Sequence, residues 1–192
     1  PLYSSAASDV YKRQVLDKAG NLSGLVTMKD IEKSAAFPLA TKDSSGQLIV
    51  AAAIGTETQT IERAEALEAA GVDVLVVDSA HGHSKNVIDT VKLIKQTFSD
   101  IQVVGGNVAT PDGALALIEA GADAVKIGMG PGSICTTRII AGIGVPQVTA
   151  ILKIREAIKK LSVPLIADGG IRFSGDLALS LIHISEPTRP LY

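Results

Sequence analysis

The sequence predicts an α/β fold: part of a (β/α)8 TIM barrel, with about five of its eight strands present. Three observations predict it. Short apolar runs alternate with stretches whose apolar residues recur every three or four positions, so strand and helix periods take turns along the chain. The runs are almost wholly apolar, which indicates a sheet buried on both faces, the habit of parallel sheets covered by helices. The polar residues of the repeat fall at the C-terminal ends of the runs, and in a barrel all those ends open onto one functional face. A doubly wound sheet would instead concentrate its ligand groups at one switch point. Five strands cannot close a barrel, so the segment is expected to be a fragment of a longer chain.

The elements follow in order. Predicted strands are Leu48–Ile54, Val72–Asp78, Ile101–Asn107, Ala122–Gly128 and Val163–Gly170, each short and apolar. Between them, Thr60–Gly71, Lys85–Phe98, Thr110–Gly121 and Gln147–Leu161 carry helical spacing and mostly good helix formers. Gly71 and Gly121 stand where a helix stop is expected. Ahead of the repeat, Leu22–Met28 reads as a strand that follows an Ala-Gly-Asn turn and leads into a short helix, as the end of a different unit over 15–35. Residues 36–47, with Pro, Ser and Gly, read as a linker into the barrel, which would run over 48–178.

The two ends have a different composition. One coding of Asp9–Gln14, GAT GTG TAT AAG AGA CAG, has the reverse complement CTG TCT CTT ATA CAC ATC, which encodes Leu179–Ile184. An inverted repeat of this kind resembles the mosaic end of a transposase sequencing adapter. Residues 1–14 and 179–192 are therefore expected to be non-native, and His183 is set aside with them.

Composition narrows the function. Of 192 residues, 46% are hydrophobic, enough for one core of ordinary size. Lys and Arg number 18 against 20 Asp and Glu, which offers no electrostatic footprint for nucleic acid or an anionic membrane. A small-molecule partner is expected. One cysteine excludes an internal disulfide framework, and no leader or spanning stretch is evident, so a reducing cytoplasm is expected.

The single thiol, Cys135, lies in Gly128–Arg138, GMGPGSICTTR, a loop after an apolar run. Glycines at 128, 130 and 132 let the backbone turn its amides or carbonyls toward an ion. A nucleophilic thiol must be exposed with its thiolate favoured, and inward-pointing amides beside a helix start supply that. The competing reading, a small buried hydrophobe, suits a core strand better than a loop. Zinc ligation has no support in the spacing of one cysteine and two interior histidines.

Five segments, in order and spacing, carry a resemblance: DSAHGHS (78–84), GGNVAT (105–110), GMGPGSICTTR (128–138), GIGVPQ (142–147) and IADGGIRFSGD (166–176). Together they resemble the inosine-5'-monophosphate dehydrogenase family, over essentially all of 15–178. VLDKAGNLSGLVTMKDIEK (15–33) is similar to the end of the CBS-type regulatory module that this family inserts into its barrel.

The resemblance implies NAD-dependent oxidation of inosine 5'-monophosphate to xanthosine 5'-monophosphate. Cys135 would attack C2 of the purine, and Thr137 would help hold the hydrolytic water, a purely structural hydroxyl being the alternative. Carbonyls of Gly130, Gly132 and Cys135 would ligate potassium. Ser133 and the amides of Gly169 and Gly170 would hold the phosphate, and Asp168 the ribose hydroxyls; a plain turn acid is the alternative for Asp168. Asp78, Ser79, Asn107 and Gly128 would face the dinucleotide. Lys126 would point to the same side, at a position where the family often carries arginine. His81 and His83 rank as structural loop residues, since no base partner is identifiable. The family's Arg-Tyr flap and its C-terminal cation ligands are not in the sequence, so this polypeptide is expected to show no turnover. A homotetramer is implied for the full-length parent. Guanosine-5'-monophosphate reductase, a deaminating relative using NADPH, and an inactive nucleotide-sensing fragment are the alternatives.

Overall fold

The computed structural model describes residues 12–181, and these divide into two compact units at Leu48/Ile49. His183 and most of the two terminal segments lie outside the described residues. Of the segment 1–14, Lys12–Gln14 are described and form part of a strand.

The first unit is a hairpin and a helix. Strands β1 (Lys12–Leu16) and β2 (Leu22–Thr27) pair antiparallel. The turn between them is organised by Asp17, whose Oδ1 accepts from the amides of Ala19 at 2.8 Å and Asn21 at 2.9 Å, an Asx-type turn. Helix α1 (Met28–Ala36) starts on a capping box: the Thr27 hydroxyl accepts from Asp30 N–H while Asp30 accepts from Thr27 N–H. Residues 37–48 follow with an Asp43–Gly46 turn and one bridge between Lys42 and Leu48.

The second unit is the βα repeat. Its strands are β3 (Ala51–Ile54), β4 (Val74–Asp78), β5 (Gln102–Val108), β6 (Ala124–Ile127) and β7 (Leu165–Ala167). Its helices are α2 (Thr60–Ala69), α3 (Lys85–Thr97), α4 (Pro111–Glu119), the one-turn α5 (Thr137–Ile140), α6 (Gln147–Ile158) and α7 (Ser174–Leu181). All five expected strands form, trimmed by one to three residues at an end where the chain bends into loops, except that β5 runs one residue further, to Val108. The sequence reading assigned no helix to α5 or α7. The first is a single turn without an apolar period, and the second crosses the change of composition at 178.

The five strands are parallel and stand in chain order, β3-β4-β5-β6-β7. This order excludes a doubly wound sheet, whose strand order reverses at a switch point. Successive right-handed crossovers in one direction put every helix on the same face, consistent with an arc of a (β/α)8 barrel. The expected burial on both faces is met in β5, where the successive residues Val103 and Val104 are both buried, and not in β4. In β4, Leu75 and Val77 are fully buried against the helices while Val74 and Val76 are only partly covered. The core lies between sheet and helices, where Val91, Ile94, Leu117, Ile127, Ile154 and Ile158 are all fully buried.

One device is used twice. Gly71 and Gly121 end α2 and α4 at φ +85° and +102°, and each is followed two residues later by an aspartate. Asp73 Oδ2 accepts from Val50 N–H at 2.8 Å, and Asp123 Oδ2 from Val103 N–H at 2.7 Å. Each carboxylate thus satisfies an amide at the entry of the preceding strand. Asp123 also holds Lys95 Nζ at 2.9 Å. No described helix is long and apolar enough to cross a membrane.

Candidate functional site

The sequence-expected site residues come to one end of the sheet because parallel strands start together and end together. Register sets Asp78 opposite Gly106 and Gly106 opposite Lys126. Register then shifts between Gly106 and Val108, so Asn107 is the extra residue of a bulge. The loop after β4 stays laced to β5: Ser79 N–H donates to Gly106 O at 3.0 Å, Asn107 N–H to Ser79 O at 2.7 Å, and Gly82 N–H to Asn107 O at 2.7 Å. His81 and His83 on that loop are exposed.

Charge is concentrated at Lys126. Its Nζ lies 2.7 Å from Asp168 Oδ2 and 3.0 Å from Asp78 Oδ1. Burial works to lower the pKa of this ammonium, but hydrogen bonds to Asp168 and then Asp78, with their charges, outweigh it and hold the pKa above its ordinary value. Asn107 Nδ2 donates to Asp168 Oδ2 and to Gly128 O, both at 2.9 Å, leaving its own Oδ1 buried without a partner.

Gly128 is where only glycine fits. At φ +151° a Cβ would lie 2.1 Å from the carbonyl oxygen of Asp168. The loop that follows packs on the loop after β7: a Cβ on Gly169 would lie 3.2 Å from Gly132 N, and one on Gly170 would lie 2.9 Å from Pro131 Cβ. Ser133, beside Gly132, is thereby brought to the 168–170 loop and is exposed. Cys135 closes a turn by donating its N–H to Gly132 O at 3.1 Å.

The thiol of Cys135 is partly exposed. Its pKa is lowered first by the Thr137 hydroxyl and then by the Thr137 amide, with smaller help from the Gly130 amide and the Arg138 charge, against a raising effect of burial. Thr137 and Arg138 both stand on α5, so the one-turn helix absent from the sequence reading positions the groups around the sulfur.

Two further residues escaped the sequence reading. Gln147, 7% exposed, donates Nε2 to Ile127 O at 2.8 Å and Asp168 O at 3.2 Å, stitching the ends of β6 and β7. Its motif, GIGVPQ, was visible, but its partners lie about twenty residues away in sequence. Gly106 lies between Asp78 and Lys126 in register, and a Cβ there would meet Lys126 Cβ at 2.6 Å.

Among the described residues no cluster of His, Cys, Asp or Glu could hold a metal ion. Any cation at the thiol loop would therefore rest on main-chain carbonyls, as expected for Gly130, Gly132 and Cys135. Such hard oxygen donors fit a hard monovalent ion, although Gly132 O already accepts one hydrogen bond.

Comparison with known proteins assigns the chain to a family. Residues 13–186 match the family model for the IMP dehydrogenase / GMP reductase domain. The inosine-5'-monophosphate dehydrogenase of Aquifex aeolicus (strain VF5) is 56% identical over 172 residues, covering 90% of this chain and 35% of that protein. The one from Staphylococcus aureus (strain Mu50 / ATCC 700699) is 58% identical over 166 residues, covering 86% and 34%. The chain thus spans about a third of the length of these relatives. Among solved structures, the GMP reductase from Trypanosoma brucei in complex with guanosine 5'-triphosphate superposes with a TM-score of 0.76 at 42% identity, covering 93% of this chain and 43% of that one. With its thiol loop, its strand-end carboxylates and a match across nearly the whole sequence, the chain belongs to the IMP dehydrogenase / GMP reductase family.

Proposed function

We propose that this chain is the central part of an NAD-dependent inosine-5'-monophosphate dehydrogenase, and that its strand-end face takes part in oxidising inosine 5'-monophosphate to xanthosine 5'-monophosphate. The observation that carries the reading is the thiol loop: a partly exposed cysteine whose ionisation is favoured by Thr137 and by loop amides, on a loop packed against Asp168-Gly169-Gly170. The 56% and 58% identities to inosine-5'-monophosphate dehydrogenases support it.

In this reading the Cys135 thiolate adds to C2 of the purine and hydride leaves that carbon, giving a thioimidate. Water, held by Thr137, then adds to C2 and the thiolate departs, so that one water is consumed and one proton released per turnover. Covalent attachment divides one difficult oxidation into two easier steps. NAD, when bound beside Asp78, Ser79, Asn107, Lys126 and Gly128, supplies the hydride acceptor. Asp168 accepts from the ribose hydroxyls, a task suited to a carboxylate that takes two donors at once. Ser133 with the amides of Gly169 and Gly170 holds the phosphate. The carbonyls of Gly130, Gly132 and Cys135 would hold potassium, which would support the shape of the loop. The hairpin and helix of the first unit belong to a CBS-type module. The parent is a cytoplasmic homotetramer.

Alkylation of Cys135 by iodoacetamide tests the site. Inosine 5'-monophosphate is expected to slow it at least tenfold while adenosine 5'-monophosphate leaves it unchanged; equal effects of the two nucleotides would sink the reading. No NADH formation is expected from this chain alone, which spans about a third of the length of its relatives. A guanosine-5'-monophosphate reductase is the second reading, favoured by the 0.76 TM-score to the trypanosomal enzyme. Protection by guanosine 5'-monophosphate stronger than that by inosine 5'-monophosphate would select it.

A further inference from the structure

Lys126 is gripped from two directions. Asp78 ends β4, Asp168 follows β7, and the lysine stands on β6 between them in sheet order. In-register residues of a parallel sheet project from one face, so Asp78 and Lys126 share a face across one intervening strand, a gap of about 9–10 Å at two strand spacings. A long side chain crosses that gap only if the strand between is bare, and the residue there is Gly106. A Cβ on it would lie 2.6 Å from Lys126 Cβ and 2.8 Å from Lys126 O. The lysine side chain is 16% exposed, whereas each carboxylate is 46% exposed. The cation is thus the covered member of the trio, and both acids keep a side toward solvent.

Resting on the reading that Asp168 takes the substrate ribose and Asp78 the dinucleotide, we infer that Lys126 is a positioning residue that links the two subsites, so that a change at one strand end is felt at the other. Two carboxylates share one ammonium, which leaves a net negative charge to be divided between them. Held by Asp78, the ammonium stays centred. Released from Asp78, it moves fully onto Asp168 and competes with ribose hydroxyls for that carboxylate. Asn107, which also donates to Asp168 Oδ2, fixes the geometry within which this competition occurs.

The experiment is a double-mutant cycle on the full chain with D78N, K126M and the pair, plus K126R to restore the charge. Inosine 5'-monophosphate affinity is read by calorimetry, and the Asp168 carboxyl carbon by NMR at pH 7 without ligand. D78N is expected to weaken nucleotide binding about threefold to tenfold, the lower part of the range of coupling between contacting residues, and to move the Asp168 resonance. Both effects should vanish in the K126M background and return with K126R. Equal effects of D78N in the two backgrounds would overturn the linkage, as would an Asp168 resonance indifferent to D78N. A resonance that follows the cycle in a chain binding no inosine 5'-monophosphate would instead overturn the substrate reading and, with it, the positioning role.

Discussion

Gln147 holds Asp168 by its main chain: the buried side-chain amide donates to the Asp168 carbonyl at 3.2 Å while its stronger bond goes to Ile127 O at 2.8 Å. One side chain at the start of α6 thereby ties the ends of two adjacent strands. Gln147→Leu keeps the volume and removes both of these bonds together with the buried, unpartnered Oε1, while the Ile127 carbonyl keeps the Asp168 N–H at 2.7 Å. A loss of about 1 kcal/mol is expected in urea unfolding, the net worth of a typical buried hydrogen bond. A loss below about 0.5 kcal/mol would mean that the strand ends do not depend on this amide.

Gly128→Ala places a methyl 2.1 Å from Asp168 O in a backbone conformation that side chains rarely adopt. The carbonyl is main chain and cannot swing aside. The variant should lose about 3 kcal/mol or more, or fail to fold. A stable variant with an unchanged near-ultraviolet spectrum would contradict this packing.

The pH profile of Cys135 alkylation follows from the lowered thiol pKa, whose first cause is the Thr137 hydroxyl. Because the charged form is favoured in the folded chain, the rate should rise through a midpoint below that of a free cysteine. Thr137→Val should move the midpoint upward and slow alkylation at pH 7 about threefold to tenfold. An unmoved midpoint would assign the shift to the loop amides instead.

Asp123 and Asp73 receive strand-entry amides in the same way, but Asp123 also pairs with Lys95, whose side chain is 21% exposed. Asp123→Ala strands a backbone amide and leaves a largely covered ammonium with the Ile101 carbonyl at 3.2 Å in place of its carboxylate. It should cost about 2–3 kcal/mol against about 1 kcal/mol for Asp73→Ala. Thermal unfolding of the two variants side by side gives the comparison, and equal losses would remove the lysine from the account.

How much of this was legible in the sequence differs by element. Val74–Val77 and Val103–Val104 announce strands through local apolar runs, and α3 announces itself through Val87, Val91 and Ile94 at helical spacing, because burial acts on neighbours within one element. The position of the 128–138 loop was legible too, since its glycines and lone thiol follow an apolar run. The pairing of the site was not. Lys126 meets Asp78 and Asp168, 48 and 42 positions away, and Gln147 meets Ile127, 20 positions away.

The amino-acid sequence by itself determined the alternation of strands and helices, the parallel class of the sheet and the identity of the groups at its C-terminal end. Only the tertiary structure decided the strand order, the one-sided helix cover and the choice of Lys126 as the common partner of two carboxylates. Period and propensity are properties of contiguous residues, whereas register, bulges and the room left by Gly106 exist only once separate strands lie side by side.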